Sequence, residues 1–281
     1  MKRSLLLVSA IVGFGTSASM ASAQEFSGFY AGAHGGYNLQ AGDGSETILF
    51  DTNLDGNYND TINTAVGANA FSPGFCGGRA QGALPADGCS NEKDGVEFGV
   101  RLGYDWQFDN WLIGAVGEVA IANMNDSVSA YSTTPARYTM TRELNWTGAI
   151  RGRGGFVFDD LLVYATGGYV RGDIDHSFST SNGVNSFTES GKGHASGYQI
   201  GGGLEWKLTP AWSVGAEYLY SNLNDDSYRV RAAGPAPATN PFILTNASGT
   251  DFARSEDDFD YGSLRAVSYT HLRAHETKAN L

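Results

Sequence analysis

The 281-residue chain contains no apolar run of the ~20 residues that a bilayer-spanning helix needs. Its most compact apolar stretch, Leu5 to Gly13, is shorter than that. It follows Lys2 and Arg3, and Ala21-Ser22-Ala23 offers a small-residue cleavage site ahead of Gln24. Those three regions in order make residues 1–23 a secretory signal peptide, so the mature chain is exported and starts near Gln24. Basic charge is scarce too. Against 30 Asp and Glu stand 18 Lys and Arg, a formal net charge of −12, which argues against the basic stripe of a nucleic-acid binder. Cysteine is nearly absent. Cys76 and Cys89 share one loop, and in the oxidising space reached by export a disulfide is expected between them. No His or third Cys lies beside them, which disfavours a metal pair. Nor is there a pattern for catalysis. His34, His176 and His194 are scattered, no Ser/His/Asp ordering follows the strands, and Gly201-Gly202-Gly203 falls inside a strand rather than a phosphate loop. The reading is not an enzyme.

What the chain has is alternation. Val96, Phe98, Val100, Leu102, Tyr104 and Trp106 are apolar, and between them sit Glu97, Gly99, Arg101, Gly103 and Asp105. A strand of this kind has one greasy and one charged face. The first strand is expected over 28–39, with Phe29, Ala31, Ala33, Gly35, Tyr37 and Leu39 on one face. Further strands follow at 95–108, 111–123, 144–158, 161–174, 196–208 and 212–223, and a last one begins near Phe259. Asp109-Asn110, Asp159-Asp160 and Thr209-Pro210-Ala211 make tight turns. They alternate with long polar excursions, among them 40–94, a Ser/Thr-rich loop of about twenty residues before Leu144, 175–195 and 224–258. Short turns at one end and long loops at the other are the asymmetry of a transmembrane β-barrel. Trp106, Phe108, Trp111, Phe156, Phe158, Trp206 and Trp212 crowd the three tight turns, as an interfacial aromatic girdle does. A mean hydropathy of −0.25 and 38 glycines agree with strands that show lipid only at every second residue.

In this register the apolar faces meet lipid, and Glu97, Arg101, Asp105, Glu118, Arg151, Arg153, Arg171, Glu205, Lys207, Glu217 and Arg265 project into the lumen. An eight-stranded barrel is just wide enough inside for side chains. Mixed signs suit a plug of ion pairs, whereas a selective pore would show rings of one sign. A charged interior also disfavours an apolar lumen ligand. His34 is expected in the lumen beside Tyr30 and Asn38, as a member of the packed network. In the first excursion, Asp51, Asn53, Asp55 and Asn57, with Gly56 and Asp60, match the first half of a calcium loop. The twelfth place holds Ile62 instead of a bidentate Glu. Two readings stand there: an Asx-rich turn, and a weak calcium site. No other cofactor is expected.

Three runs carry a family resemblance: Gly28-Phe29-Tyr30-Ala31-Gly32-Ala33-His34-Gly35-Gly36-Tyr37, Leu102-Gly103-Tyr104-Asp105, and Tyr164-Ala165-Thr166-Gly167-Gly168-Tyr169. In their order and spacing the chain resembles the porin-like eight-stranded outer-membrane β-barrels of alphaproteobacteria, from the mature N-terminus to about Ala266. The resemblance implies an all-β, antiparallel up-and-down barrel in the outer membrane of a Gram-negative cell, with short periplasmic turns and long extracellular loops. Outer-membrane lipid and the barrel-assembly machinery are the partners it implies. The family's roles run from surface antigen and structural protein to porin. The function expected here is a structural or surface-interaction role with a plugged lumen; the alternative is a narrow porin. Surface recognition is expected in the loops holding Asp51 to Asp60, Cys76/Cys89 and Pro235 to Pro241. The family's last strand ends in an aromatic residue. Here Val267-Ser268-Tyr269-Thr270-His271-Leu272-Arg273-Ala274-His275-Glu276-Thr277 shows no hydropathic alternation and looks like a translated sequencing adapter. The expectation is a barrel domain over 24–266 with an incomplete last strand, and a non-native tail over 267–281.

Overall fold

The alternating segments pair edge to edge into a closed ring. The structure is a computed structural model that describes residues 25–40, 45–90 and 94–272; the expected signal peptide and the tail beyond 272 lie outside the described residues. In chain order the strands are β1 (Gly28–Gln40), β2 (Ile48–Asp51), β3 (Gly74–Gly77), β4 (Arg79–Ala80), β5 (Cys89–Ser90), β6 (Gly95–Phe108), β7 (Trp111–Ser132) and β8 (Ala136–Phe158). They continue with β9 (Leu161–Thr180), β10 (Ser186–Ser190), β11 (His194–Thr209), β12 (Trp212–Asn224), β13 (Arg229–Ala233), β14 (Thr250–Arg254) and β15 (Asp258–Leu272). Eight of them form the barrel in the order β1-β6-β7-β8-β9-β11-β12-β15, and β15 returns to β1. Each neighbour is antiparallel to the next. The fold is the expected up-and-down barrel.

Alternation decides which face meets what. Phe98, Leu102 and Ile150 are 60%, 67% and 71% exposed on the outer surface, while Glu97, Arg101 and Arg151, each one place away, are buried inside. In a soluble protein that exchange of faces would be ruinous; facing lipid it is required. At the short-turn end, Asp109 and Asp159 adopt the left-handed conformation (φ 52° for both) that a two-residue hairpin turn needs. The Asn110 amide donates to the Val157 carbonyl at 2.9 Å and ties one turn to the next. Trp106, Phe108, Trp111, Phe158, Trp206 and Trp212 stand outward around this end, and Phe156 packs edge-on against Trp111 with ring centroids 5.2 Å apart.

The long-loop end departs from expectation. The Ser/Thr-rich segment before Leu144 is not a loop: β7 and β8 run on past a bulge near Ile121 to Met124 and turn only at Thr133 to Pro135. The serines and threonines there face one another across the hairpin. Ser127 pairs with Thr141 and Ser129 with Thr139, both at 2.8 Å, and Ser129 also bonds the Gly78 carbonyl at 2.8 Å. Polar residues that satisfy each other across strands are strand residues, although their composition reads as loop. Above the barrel, β10, β13, β14 and β2 form a second sheet, and β3 pairs with β7. Between this sheet and the extended hairpin lies an apolar core that includes Phe50, Phe71, Val128, Met140, Phe242 and Phe252. The long loops thus fold into a cap.

The last strand runs beyond Ala266: Val267–Leu272 belong to β15 and pair with β1, and Val267 to Thr270 pair with β12 as well. Their alternation is one of burial rather than of hydropathy. Val267, Tyr269 and His271 are buried inward, and Thr270 and Leu272 are exposed outward.

Candidate functional site

The lumen is filled in layers that follow position along the strands. At the short-turn end, Phe26, Leu112, Val157 and Leu162 form a small apolar plug. The Lys207 ammonium lies 4.6 Å from the Phe26 ring centre and donates to the Glu25 carbonyl. One layer further in, Arg153 is held by Asp105 and by Glu205, the latter at 3.0 Å. Its guanidinium lies over the rings of Tyr30 and Tyr164, at 4.7 and 5.1 Å.

The middle layer sets three arginines among three glutamates. Glu118 takes Arg101 at 2.7 Å, Arg151 at 3.1 Å and Arg265 at 2.6 Å. Glu217 takes Arg101 at 3.0 Å and accepts the Tyr164 hydroxyl at 2.9 Å. Glu97 grips Arg265 through both carboxylate oxygens, and Gln199 accepts from Arg151 at 2.7 Å. His34 sits buried beside them, with Nδ1 3.5 Å from Arg101. Charges this deep are held only when paired and hydrogen-bonded. Above them, an apolar layer that includes Met124, Leu144, Val170, Ile174, Leu223 and Phe259 spans the long-loop end of the lumen.

Ten of the eleven charges expected in the lumen point inward and are buried. Arg171 does not; it is exposed on the outer face of β9. The inward places on that strand are Leu162, Tyr164, Thr166, Gly168, Val170 and Gly172, so both faces of β9 are apolar or small and its register cannot be read from charge.

A further ionic cluster, not foreseen from sequence, joins barrel to cap. Asp126 takes Arg142 at 2.5 Å and Arg254 at 2.7 Å, and Arg254 also holds Glu46 at 2.5 Å. Asp225 accepts from His176 at 2.9 Å, and the His176 ring stacks on Tyr228 with centroids 4.5 Å apart. Burial drives Asp126 up, and Arg254 and Arg142 overcome it and hold the carboxyl below the ordinary carboxylate range. Glu46 shares one guanidinium with that carboxylate, and burial pushes it up to about 7. A sequence separation of 208 between Glu46 and Arg254 leaves no local signal for such a pair.

The Asp51 loop takes the Asx-turn form. Asp51 Oδ1 accepts from the backbone N–H of Leu54 at 2.6 Å and of Asp55 at 3.2 Å, and Oδ2 accepts from Gly56 at 2.8 Å. Asn53 accepts from Asp55, Asp55 from Asn57, and Asp60 from Thr52, each at 2.8 Å. These bonds to backbone donors fix the shape of the loop and hold its side-chain oxygens in place. Among the described residues no group of three or more His, Cys, Asp or Glu is placed to hold a metal. Cys76 and Cys89 form a disulfide in the cap beside the Tyr131 hydroxyl.

The profile of the outer membrane protein beta-barrel domain matches residues 7–234. The 31 kDa outer-membrane immunogenic protein of Brucella melitensis is 27% identical over 176 residues, which are 58% of this chain and 73% of that protein. The 22 kDa outer membrane protein of Rhizobium leguminosarum is 28% identical over 129 residues, 46% of this chain and 53% of that protein. Among solved structures, Ail, the attachment invasion locus protein of Yersinia pestis, aligns over 86% of this chain and 98% of its own at 11% identity, with a TM-score of 0.31.

Proposed function

The chain belongs to the outer membrane protein beta-barrel family, and we propose that within it this protein is a closed barrel whose work is to hold a folded cap at the cell surface for contact with partners. It neither conducts solutes nor catalyses. The observation that carries this reading is Glu118, fully paired with Arg101, Arg151 and Arg265 in mid-lumen beneath an apolar layer. Charges engaged with one another in this way offer a passing ion nothing it does not already have in water, and the apolar layer offers it less. The cap supports the surface role: its apolar core holds the long excursions in one shape, which lowers the ordering cost of binding. A relative named as immunogenic is in keeping with a surface-exposed structure.

A narrow pore is the second reading, and one observation favours it. Arg101 Nε, Arg151 Nε and His34 Nε2 are buried without a hydrogen-bond partner among the described residues, and such atoms are satisfied by water. Single-channel recording in planar bilayers separates the two. The closed reading expects silence from folded, heat-modifiable protein. A steady conductance that changes on charge reversal at Arg151 or Glu217 would replace it with the porin.

A further inference from the structure

We propose that the cap carries, at its far end, a binding site for one neutral saccharide unit. The proposal rests on the surface role above and gives that role a ligand class. The site is a cavity of about 240 Å³. All four long excursions build it: Phe71 comes from the first, Thr134 from the β7–β8 turn, Asn182 from the β9–β10 turn and Phe242 from the segment between β13 and β14. Pockets that several loops converge on, over a rigid scaffold, are where ligands are bound.

The lining selects the chemistry. Among the described residues no Asp, Glu, Lys or Arg lines the cavity, in a chain with 17% charged residues. A phosphate, sulfate, carboxylate or ammonium group entering it would give up water and meet no counter-charge. A wholly apolar ligand fails for the opposite reason, because it would strip water from Thr64, Ser132 and Asn240 and return no hydrogen bonds. The floor is apolar. Tyr138 lies against Phe71 and Phe242, with ring centroids 5.2 and 5.6 Å apart. A ligand with hydroxyls around its edge and C–H groups on its face satisfies both surfaces, and that describes a pyranose ring. The volume lies below the ~300 Å³ at which drug-sized pockets begin, so one ring is the scale it fits.

The polar groups are fixed in advance. Asn182 donates to the Tyr138 hydroxyl at 3.0 Å and to Asn185 at 3.1 Å, and Asn185 and Asn240 exchange amide bonds at 3.1 Å. Asn182 Oδ1 accepts the Val184 N–H at 2.8 Å and pins its own turn. The Ser132 hydroxyl, which donates to the Thr134 carbonyl at 2.6 Å, is held at the cavity wall in the same way. Asn240 donates one amide hydrogen to Asn185 and keeps the other. Donors held in place by their neighbours lower the cost of binding.

The test is saturation-transfer NMR on the full chain in nanodiscs, with methyl glucoside, methyl galactoside, methyl mannoside and N-acetylglucosamine as neutral probes and glucuronate as the charged one. Gly183→Trp is the blocking variant. Gly183 lines the cavity, its backbone is not left-handed, and an added Cβ meets no atom within 4 Å, so a side chain can start there without a clash and its bulk stands at the cavity wall. The expected result is transfer to at least one neutral sugar, none to glucuronate, and loss of the signal in Gly183→Trp while heat-modifiability is kept. No transfer to any neutral sugar from folded protein would overturn the proposal. So would equal transfer to glucuronate, or a signal undiminished in Gly183→Trp. Conductance recorded on the same preparations judges the closed lumen separately, so either idea can fail alone.

Discussion

Glu118→Gln removes one charge and almost no volume from the centre of the lumen, and three guanidiniums lose their shared anion. Each of the three contacts lies between 2.6 and 3.1 Å. At an effective dielectric near 20, a unit pair even at 4 Å is worth about 4 kcal/mol, and that gain is largely offset by the cost of drying the charges. What the variant exposes is the remainder: buried arginines left with too few anions. Breaking a buried pair from one side typically costs about 3–5 kcal/mol. Glu217 lies 3.6 Å from both Arg151 and Arg265 and takes up part of the loss, which sets the expectation at the low end, about 3 kcal/mol. The assay is equilibrium unfolding in urea from lipid vesicles, scored by heat-modifiable mobility. Arg231→Ala serves as the internal comparison. That side chain pairs with Asp251 at 2.5 Å but is 42% exposed, and its loss is expected to cost less than about 1 kcal/mol. If Glu118→Gln costs no more than Arg231→Ala, the lumen charges are screened by water, and the dry, closed column is refuted.

Two further outcomes concern the cap. Burial raises Glu46 from its ordinary 4.5 to about 7, so between those values the folded state binds more protons than the unfolded one, and the group's contribution to cap stability is present at acid pH and lost as pH rises through about 7. Hydrogen exchange at the Ser255 amide, which bonds the Thr47 carbonyl at 2.9 Å, should lose protection over that range after correction for intrinsic rate. Glu46→Gln should flatten the dependence; an unchanged slope in that variant would assign it elsewhere. Asp51→Ala removes an acceptor for three backbone N–H groups and is expected to destabilise the cap by roughly 2 kcal/mol, with calcium adding no heat to wild type in calorimetry. Calcium-dependent stabilisation seen in wild type and absent from Asp51→Ala would establish the calcium loop.

The barrel was legible because lipid and lumen ask opposite things of neighbouring residues. Phe98 beside Glu97, or Ile150 beside Arg151, admits one orientation only, and the tight turns at Asp109 and Asp159 mark where the chain reverses. The cap was not legible. On β7 and β8 beyond the bulge, both faces are covered by protein, so Ser129 and Thr139 satisfy each other where alternation would have put an apolar residue. The lumen charges could be listed from sequence, but their partners could not, since Arg265 and Glu118 stand 147 residues apart. The reach of the last strand was hidden for a related reason. Pairing with β1 and β12 is made by backbone groups, which Ser268 and Thr270 supply as well as any apolar residue.

Why a barrel should keep charges where well-packed apolar side chains would be about as stable is a question of register. A slip of one residue turns every side chain of a strand to the other face. On β6 it would send Glu97, Arg101 and Asp105 into lipid, and on β8 Arg151 and Arg153. An Arg or Lys on the lipid face costs ~2–4 kcal/mol at the bilayer midplane. An apolar lumen would impose no such penalty, and its slipped registers would compete. The same depth dependence accounts for Arg171. It lies on the outer face near the long-loop end, two residues from Asp173 and paired across to Ser196. Near the interface the cost of an outward Arg falls to about 0–1 kcal/mol, and its long stem carries the guanidinium toward the headgroups. A charge at the rim therefore leaves the register open, whereas a charge at mid-depth decides it, and Glu97, Arg101, Glu118, Arg151, Glu217 and Arg265 sit where they decide it.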